Sequence, residues 1–304
     1  MLVRRLISAT IIISTLLLLL WFDFWLGSND QLGRPGLVLC GLAIVMAAMA
    51  ASELASMFNN VACRVNQVVV VLSTVVMVCT AFVPSLWREQ PIGCPLGLFG
   101  WALAGIVLAT VIAFVNEMRC FDSTTASSKG EVIDRLGRST LVFIYLSMLF
   151  AFLLPHRLLE NSNGLGLFAI VALVSTVKLS DTFAYFFGKT WGTVKLAPKL
   201  SPGKTVQGAV GAFVGGSLAS AIVVYAVAPL IFGITIAKPW WWFLAYGILV
   251  TSAGMVGDLA ESLIKRDSSI KDSSSWLPGL GGVLDIVDSL VFAAPVSFFL
   301  WIVP

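Results

Sequence analysis

A chain of 304 residues that is 58% hydrophobic and 12% charged, with a mean hydropathy of +0.95, is too apolar for a soluble domain, where about 45–50% apolar and about 25% charged residues are usual. A net charge of +3 with no basic run argues against nucleic acid as a partner. Five scattered cysteines with no Cys-x-x-Cys pair argue against a disulfide framework or a zinc site, and a single histidine, His156, removes histidine triads and multi-histidine metal centres.

A membrane-spanning helix takes about 20 mostly apolar residues. By that rule the chain holds nine spans, near 7–28, 36–58, 67–86, 97–116, 139–155, 164–187, 208–233, 240–260 and 284–303. The expected fold is therefore an all-α, polytopic integral membrane protein. Arg4 and Arg5 precede an apolar run as in a secretory leader, but "LISATIIISTLLLLLWFDFWLG" is long and lacks a small-residue cleavage site, so it reads as a span.

Lys and Arg placement sets the expected orientation. With the N-terminus inside, fourteen of the 19 basic residues fall inside and only Arg34, Arg88, Arg157 and Lys238 outside, while Lys178 lies within a span. This predicts a cytoplasmic N-terminus and an outer C-terminus. The three long connections, roughly 117–138, 188–207 and 261–283, all fall inside. The expected organisation is an N-terminal group of about five spans (1–160) and a C-terminal catalytic group (161–304) with two cytoplasmic motif loops, 188–207 and 261–283.

Polar residues recur at helical spacing in three spans. Ser175, Lys178, Asp181 with Thr182, and Tyr185 form a stripe in the sixth; Asp258, Glu261, Ser262 and Lys265 close the eighth; Asp285, Asp288 and Ser289 open the ninth. An ionised group at a helix centre costs about 2.5–3.5 kcal/mol on insertion scales, so such groups should face inward and meet. Asp181 can pair with Lys178 and Glu261 with Lys265, which leaves Asp258, Asp285 and Asp288 without an obvious cationic side chain. Three like charges would raise one another's pKa unless a cation sits among them. Oxygen donors with no histidine or thiolate nearby point to a hard ion, Mg²⁺. The competing reading is N-capping or a buried ion pair, and Asp285 does lie near a helix start, where the macrodipole favours negative charge.

The loop "KTWGTVKLAPKLSPGKTVQG" contains Gly-Lys-Thr but has Pro198 where a phosphate-binding P-loop needs its first glycine, and no strand precedes it. Lys189, Lys195, Lys199 and Lys204 nevertheless stand beside a helix expected to begin near Thr205 or Val206, an arrangement that suits phosphate. They also satisfy the positive-inside bias. In the third loop, "PGLGG" (278–282) permits a tight backbone approach, to a bulky ligand or simply for a turn. Carboxylates for a metal and cations for phosphates, inside a membrane, suit phosphoryl or nucleotidyl transfer to a lipid.

At these residues the sequence resembles the phosphatidate cytidylyltransferase (CDP-diacylglycerol synthase) family. The family's C-terminal signature stands here as Ser262, Lys265, Arg266, Lys271, Asp272, Pro278, Gly281, Gly282, Asp285 and Asp288, with spacing kept throughout. "SDTFAYFFGKTWG…PKLSPGKTVQG" resembles its upstream motif, so the motif-level likeness covers roughly 178–289. Three positions depart: Leu280 stands for the family's His, Ile286 for its Arg and Gln207 for its Glu. Retention of Asp258, Asp285, Asp288, Lys204, Lys265 and Arg266 suits a divergent but active branch.

The resemblance implies that a phosphate oxygen of phosphatidic acid attacks the α-phosphorus of CTP, releasing pyrophosphate and CDP-diacylglycerol for phospholipid synthesis. It implies that Asp258, Asp285 and Asp288 hold Mg²⁺, with room for a second cation. Ser201, Lys204 and Thr205 would grip triphosphate or lipid phosphate, and Lys265, Arg266 and Lys271 would neutralise the leaving pyrophosphate. Lys178 and Asp181 would shape the polar cavity; Ser262, Asp272, Gly281 and Gly282 complete the expected substrate contacts. It also implies a homodimer, while the spans themselves suit a bacterial-type inner membrane and the Lys and Arg placement puts the site on the cytoplasmic face. Two other readings stand beside it: a CTP-dependent enzyme acting on another lipid or polyprenyl phosphate, and an ion-coupled transporter.

Overall fold

The computed structural model describes residues 15–16, 18–27, 36–60, 64–86, 94, 96–121, 130–157, 159, 163–270, 273–274 and 281–302. The described chain is almost wholly helical: α1 (Leu18–Gly27), α2 (Leu37–Asn59), α3 (Gln67–Phe82), α4 (Gly97–Cys120), α5 (Glu131–Arg157), α6 (Asn163–Trp191), α7 (Val206–Ile222), α8 (Trp240–Asp267) and α9 (Leu284–Ile302). Among the described residues, eight helices, α2 to α9 with their extensions, are long and apolar enough to cross a membrane, and the protein is an integral membrane protein. Residues 7–14, 17 and 28 of the expected first span lie outside the described residues; its remainder contains α1.

Three differences from expectation have simple causes. Helix α5 begins at Glu131 rather than near 139, and α8 runs to Asp267 rather than 260. Hydropathy ends where charge begins, but helical hydrogen bonding continues. Glu131 and Asp134 in the first turn of α5, and Lys265 and Arg266 in the last turn of α8, suit the helix dipole. The loop after α6 is also not purely irregular, because β1 (Lys195–Ala197) and β2 (Ser201–Thr205) pair antiparallel, with Lys195 opposite Thr205 and Ala197 opposite Ser201.

Contacts divide the chain into two compact units, one of residues 1–154 with 267–286, the other of 155–266 with 287–304. In the first, Asp23 explains the carboxylate inside an apolar run. It is buried, and its two oxygens accept the amides of Gly36, Val38 and Leu39, the orphan donors at the start of α2. Helix α3 packs on α2 and α4, and close approach to α4 depends on Gly105, where a Cβ would collide with Thr80 and the Met77 backbone. Arg135 on α5 binds Glu117 of α4 at 2.9 Å, and Arg138 donates to the Phe58 carbonyl in the last turn of α2.

In the second unit, glycines set the helix spacing. A Cβ at Gly211 or Gly215 of α7 would sit 2.5 or 2.6 Å from the Cβ of Phe187 or Phe183 on α6. One at Gly247 of α8 would lie 2.5 Å from the Ser217 Cα of α7. Small residues allow such backbone proximity where lipid supplies no hydrophobic drive between helices. Helix α7 continues as a wider π-helical stretch, Val223–Phe232, which contains Pro229 and ends at Gly233 with φ +65°. A buried chain of His156, Ser297 and Tyr246, linked at 3.0 and 2.8 Å through the serine hydroxyl, satisfies the lone histidine structurally.

Candidate active site

The second unit gathers most of the expected polar residues. Thr205 ends β2 and caps α7, its Oγ1 accepting the Gly208 amide at 3.1 Å. Gln207 then holds the loop before the hairpin: Oε1 accepts the amides of Thr193 and Val194, and Nε2 donates to Thr193 Oγ1 at 2.7 Å. The carboxamide uses both its donor and its acceptor, so the departure at 207 is fully accommodated. At the opposite end of the hairpin, Arg266 Nε donates to the Leu200 carbonyl at 3.1 Å, tying the end of α8 to the turn.

This scaffold presents Lys204 to α8, with Nζ 2.6 Å from Asp258 Oδ2. The expectation that Asp258 lacks a cationic side chain is therefore corrected. Its partner comes from a loop more than fifty residues earlier, which no helical spacing could reveal. Lys178 meets Asp181 at 3.5 Å and Lys265 meets Glu261 at 2.8 Å, as their spacing predicts.

Three carboxylates converge. Asp258, Glu261 and Asp288 each offer an oxygen, and these oxygens all lie within 4.8 Å of one another. Asp258 and Glu261 are one turn apart on α8, and Asp288 reaches them from α9 because Gly257 lets the two backbones touch. A Cβ at Gly257 would strike the Asp288 carbonyl oxygen and come within 3.3 Å of the Ser289 Cα. Asp288 takes the Ser289 amide and, at 3.0 Å, the Ser289 hydroxyl. Glu261 and Asp288 are buried and the Asp258 side chain keeps 33% exposure, so the group is largely screened from water, where a cation gains most.

Asp285 is held differently. Its Oδ2 accepts the Ser273 hydroxyl at 2.6 Å, the Gly282 amide at 2.7 Å and the Ser273 amide at 3.2 Å, all within the first unit. Gly281 adopts φ +88°, and a Cβ there would strike the Asp285 carboxylate, while one at Gly282 would strike Ser273 and Glu53. The close approach read from the glycine pair is thus real, and in this structure it is made to the protein's own carboxylates. Ser201 opens β2 and Ser262 lies in α8, partly buried. Lys271, Asp272, Pro278 and Leu280 lie outside the described residues.

Two acidic residues take larger roles than spacing implied. Glu261 was readable only as the partner of Lys265, yet its carboxylate joins Asp258 and Asp288. Glu53, buried in α2, belongs to no motif; an ionisable residue in the middle of "AASELASM" was itself the available signal.

The family described as "Cytidylyltransferase family" matches residues 3–303, and the chain belongs to it. It is 37% identical over 172 residues to a phosphatidate cytidylyltransferase of Chlamydia muridarum, covering 55% of this chain and 54% of that one. It is 37% identical over 167 residues to a phosphatidate cytidylyltransferase of Bacillus subtilis, covering 55% and 58%. It is also 38% identical over 139 residues to the uncharacterized protein YnbB of Escherichia coli, covering 46% and 44%. The chain thus spans about half the length of the curated relatives it matches.

Proposed function

We propose that the protein is a membrane-embedded phosphatidate cytidylyltransferase, converting CTP and phosphatidic acid to CDP-diacylglycerol and pyrophosphate. The observation that carries this reading is the convergence of Asp258, Glu261 and Asp288 within 4.8 Å, flanked by Lys204 and Lys265. Family membership and the named relatives support the choice of nucleotide and lipid.

The carboxylate set fits Mg²⁺. Ligand oxygens about 2.1 Å from an octahedral ion are separated by about 3.0 to 4.2 Å, so a 4.8 Å group needs only small side-chain adjustment. Asp258, Glu261 and Asp288 would hold the ion, with Asp285 the remaining carboxylate of the motif. Bound there, Mg²⁺ supplies charge neutralisation for a triphosphate.

The chain's own groups perform the rest. Lys204 and Lys265 are the cations beside the carboxylates, placed to take triphosphate charge, while the tie from Arg266 to Leu200 keeps the hairpin lysine in position. Thr205 fixes the start of α7, whose amides and dipole favour phosphate. The attacking group, a phosphate oxygen of the lipid, is already an anion, so no general base is needed, in keeping with a lone histidine that is bonded to Ser297. The positive-inside count puts this site on the cytoplasmic face, and pairing of two copies rests on the family resemblance.

Leu280 and Ile286 favour one second reading, in which the acceptor is another lipid or polyprenyl phosphate. Purified protein given CTP, Mg²⁺ and a panel of phosphatidic acid, lysophosphatidic acid and polyprenyl phosphate separates the two by product mass. CDP-diacylglycerol as the dominant product is the expected result; a different cytidylylated lipid would replace the acceptor, and none at all would remove the proposal.

A further inference from the structure

Glu53 lies in α2, 5% exposed, in a helix with mean hydropathy 2.2 over its apolar window. A carboxylate there is costly unless it is fully hydrogen-bonded. Among the described residues, its donors come from the segment leading into α9, more than 200 residues later. Oε1 accepts the Ser274 hydroxyl at 2.8 Å and the Val283 amide at 3.0 Å. Oε2 accepts the Leu284 amide at 2.9 Å and the Ser273 hydroxyl at 3.2 Å.

Each oxygen therefore takes one amide and one hydroxyl, a two-pronged arrangement only a carboxylate satisfies. Val283 immediately precedes α9 and Leu284 opens it, so their amides have no acceptor within the helix, and an anion there also meets the positive end of the dipole. Asp285 follows immediately and shares Ser273 with Glu53. The one hydroxyl proton of Ser273 faces both carboxylates, at 2.6 Å to Asp285 and 3.2 Å to Glu53. Gly282 completes the fit, since any side chain there would occupy the space of the Glu53 carboxylate.

We propose that Glu53 is a positioning residue for the transfer reaction. It fixes the first turn of α9 and the Ser273 hydroxyl, and through them the direction in which Asp285 presents its carboxylate. This rests on the function proposed above, but its first readout does not.

The test is Glu53→Gln in the full-length protein in detergent. The amide keeps size and polarity but sets an NH₂ against one of the two backbone amides, a donor that cannot reverse, whereas the serine hydroxyls can turn to accept. Hydrogen–deuterium exchange of the peptide covering 281–286 should quicken about tenfold or more, while peptides of α6 and α7 keep their wild-type rates. Turnover per folded molecule should fall about 10- to 100-fold, the usual cost of losing a supporting hydrogen-bond partner, with KM for CTP changed less than about twofold. Glu53→Asp should recover part of the rate. Ser274→Ala, which deletes one donor, should give a milder version of both effects and serves where Glu53→Gln does not fold. Unchanged exchange at 281–286, or unchanged turnover in an active preparation, overturns the role of Glu53. Faster exchange in a protein whose wild type makes no cytidylylated lipid upholds the cradle and removes the function instead.

Discussion

Lys204 and Asp258 form a close ion pair in the candidate site, Nζ to Oδ2 at 2.6 Å, joining the β-hairpin to α8. Both side chains keep some exposure, 24% and 33%, so the pair is screened and is worth little as a clamp. Its use lies in where it leaves a cation. Lys204→Gln should lower kcat/KM for CTP about 100-fold, the scale of removing one charge-stabilising donor, while leaving thermal stability nearly unchanged. The Mg²⁺ needed for half-maximal rate should fall or stay constant, since Lys204 no longer competes for Asp258. Lys204→Arg should recover only part of the rate, because a planar fork replaces a point charge. A steady-state CTP titration at several Mg²⁺ concentrations checks all three.

Gly257 and Gly254 provide a matched pair on α8. A Cβ at 257 would enter the Asp288 carbonyl, whereas one at 254 would make ordinary contacts, 3.6 Å to the Ser289 carbonyl oxygen and 3.7 Å to its Cβ. Gly257→Ala should therefore separate the helices that bring Asp258 to Asp288, costing about 1–3 kcal/mol of stability and most of the activity. Gly254→Ala should be tolerated in both respects. Thermal unfolding and turnover of the two variants, measured side by side, test this.

Orientation can be read from a native cysteine. Cys120 is exposed at the end of α4 beside Arg119, on the face that the distribution of Lys and Arg puts inside. In a variant retaining only Cys120, a membrane-impermeant maleimide should label inverted vesicles and spare right-side-out ones. The opposite pattern would move the candidate site to the other side of the membrane.

How much of this was legible beforehand depends on distance along the chain. The membrane spans and the pairs Lys178–Asp181 and Glu261–Lys265 follow from local periodicity. Their partners are one turn away. The Lys204–Asp258 pair, the Glu53 cradle and the Gly257 contact join residues that no periodic pattern relates, so only the folded chain displays them. The hairpin was missed because strands of three and five residues, one of them containing Pro202 and Gly203, carry almost no strand signal. Asp285 is expected among the metal ligands, and the folded chain adds what spacing does not display, that its Oδ2 is bonded to Ser273 and Gly282.

The most direct test of the account is Mg²⁺-dependent formation of CDP-diacylglycerol from CTP and phosphatidic acid by the wild type, Asp288→Asn and Glu261→Gln. The wild type should be inactive after chelation and recover fully with Mg²⁺. Each variant should fold normally, lose at least about 100-fold in rate at low Mg²⁺ and regain part of it as Mg²⁺ rises, as expected when one of three oxygen ligands is lost. Wild-type rates in Asp288→Asn, or turnover that ignores chelation, would contradict the central claim that Asp258, Glu261 and Asp288 form the metal-holding centre of the proposed enzyme.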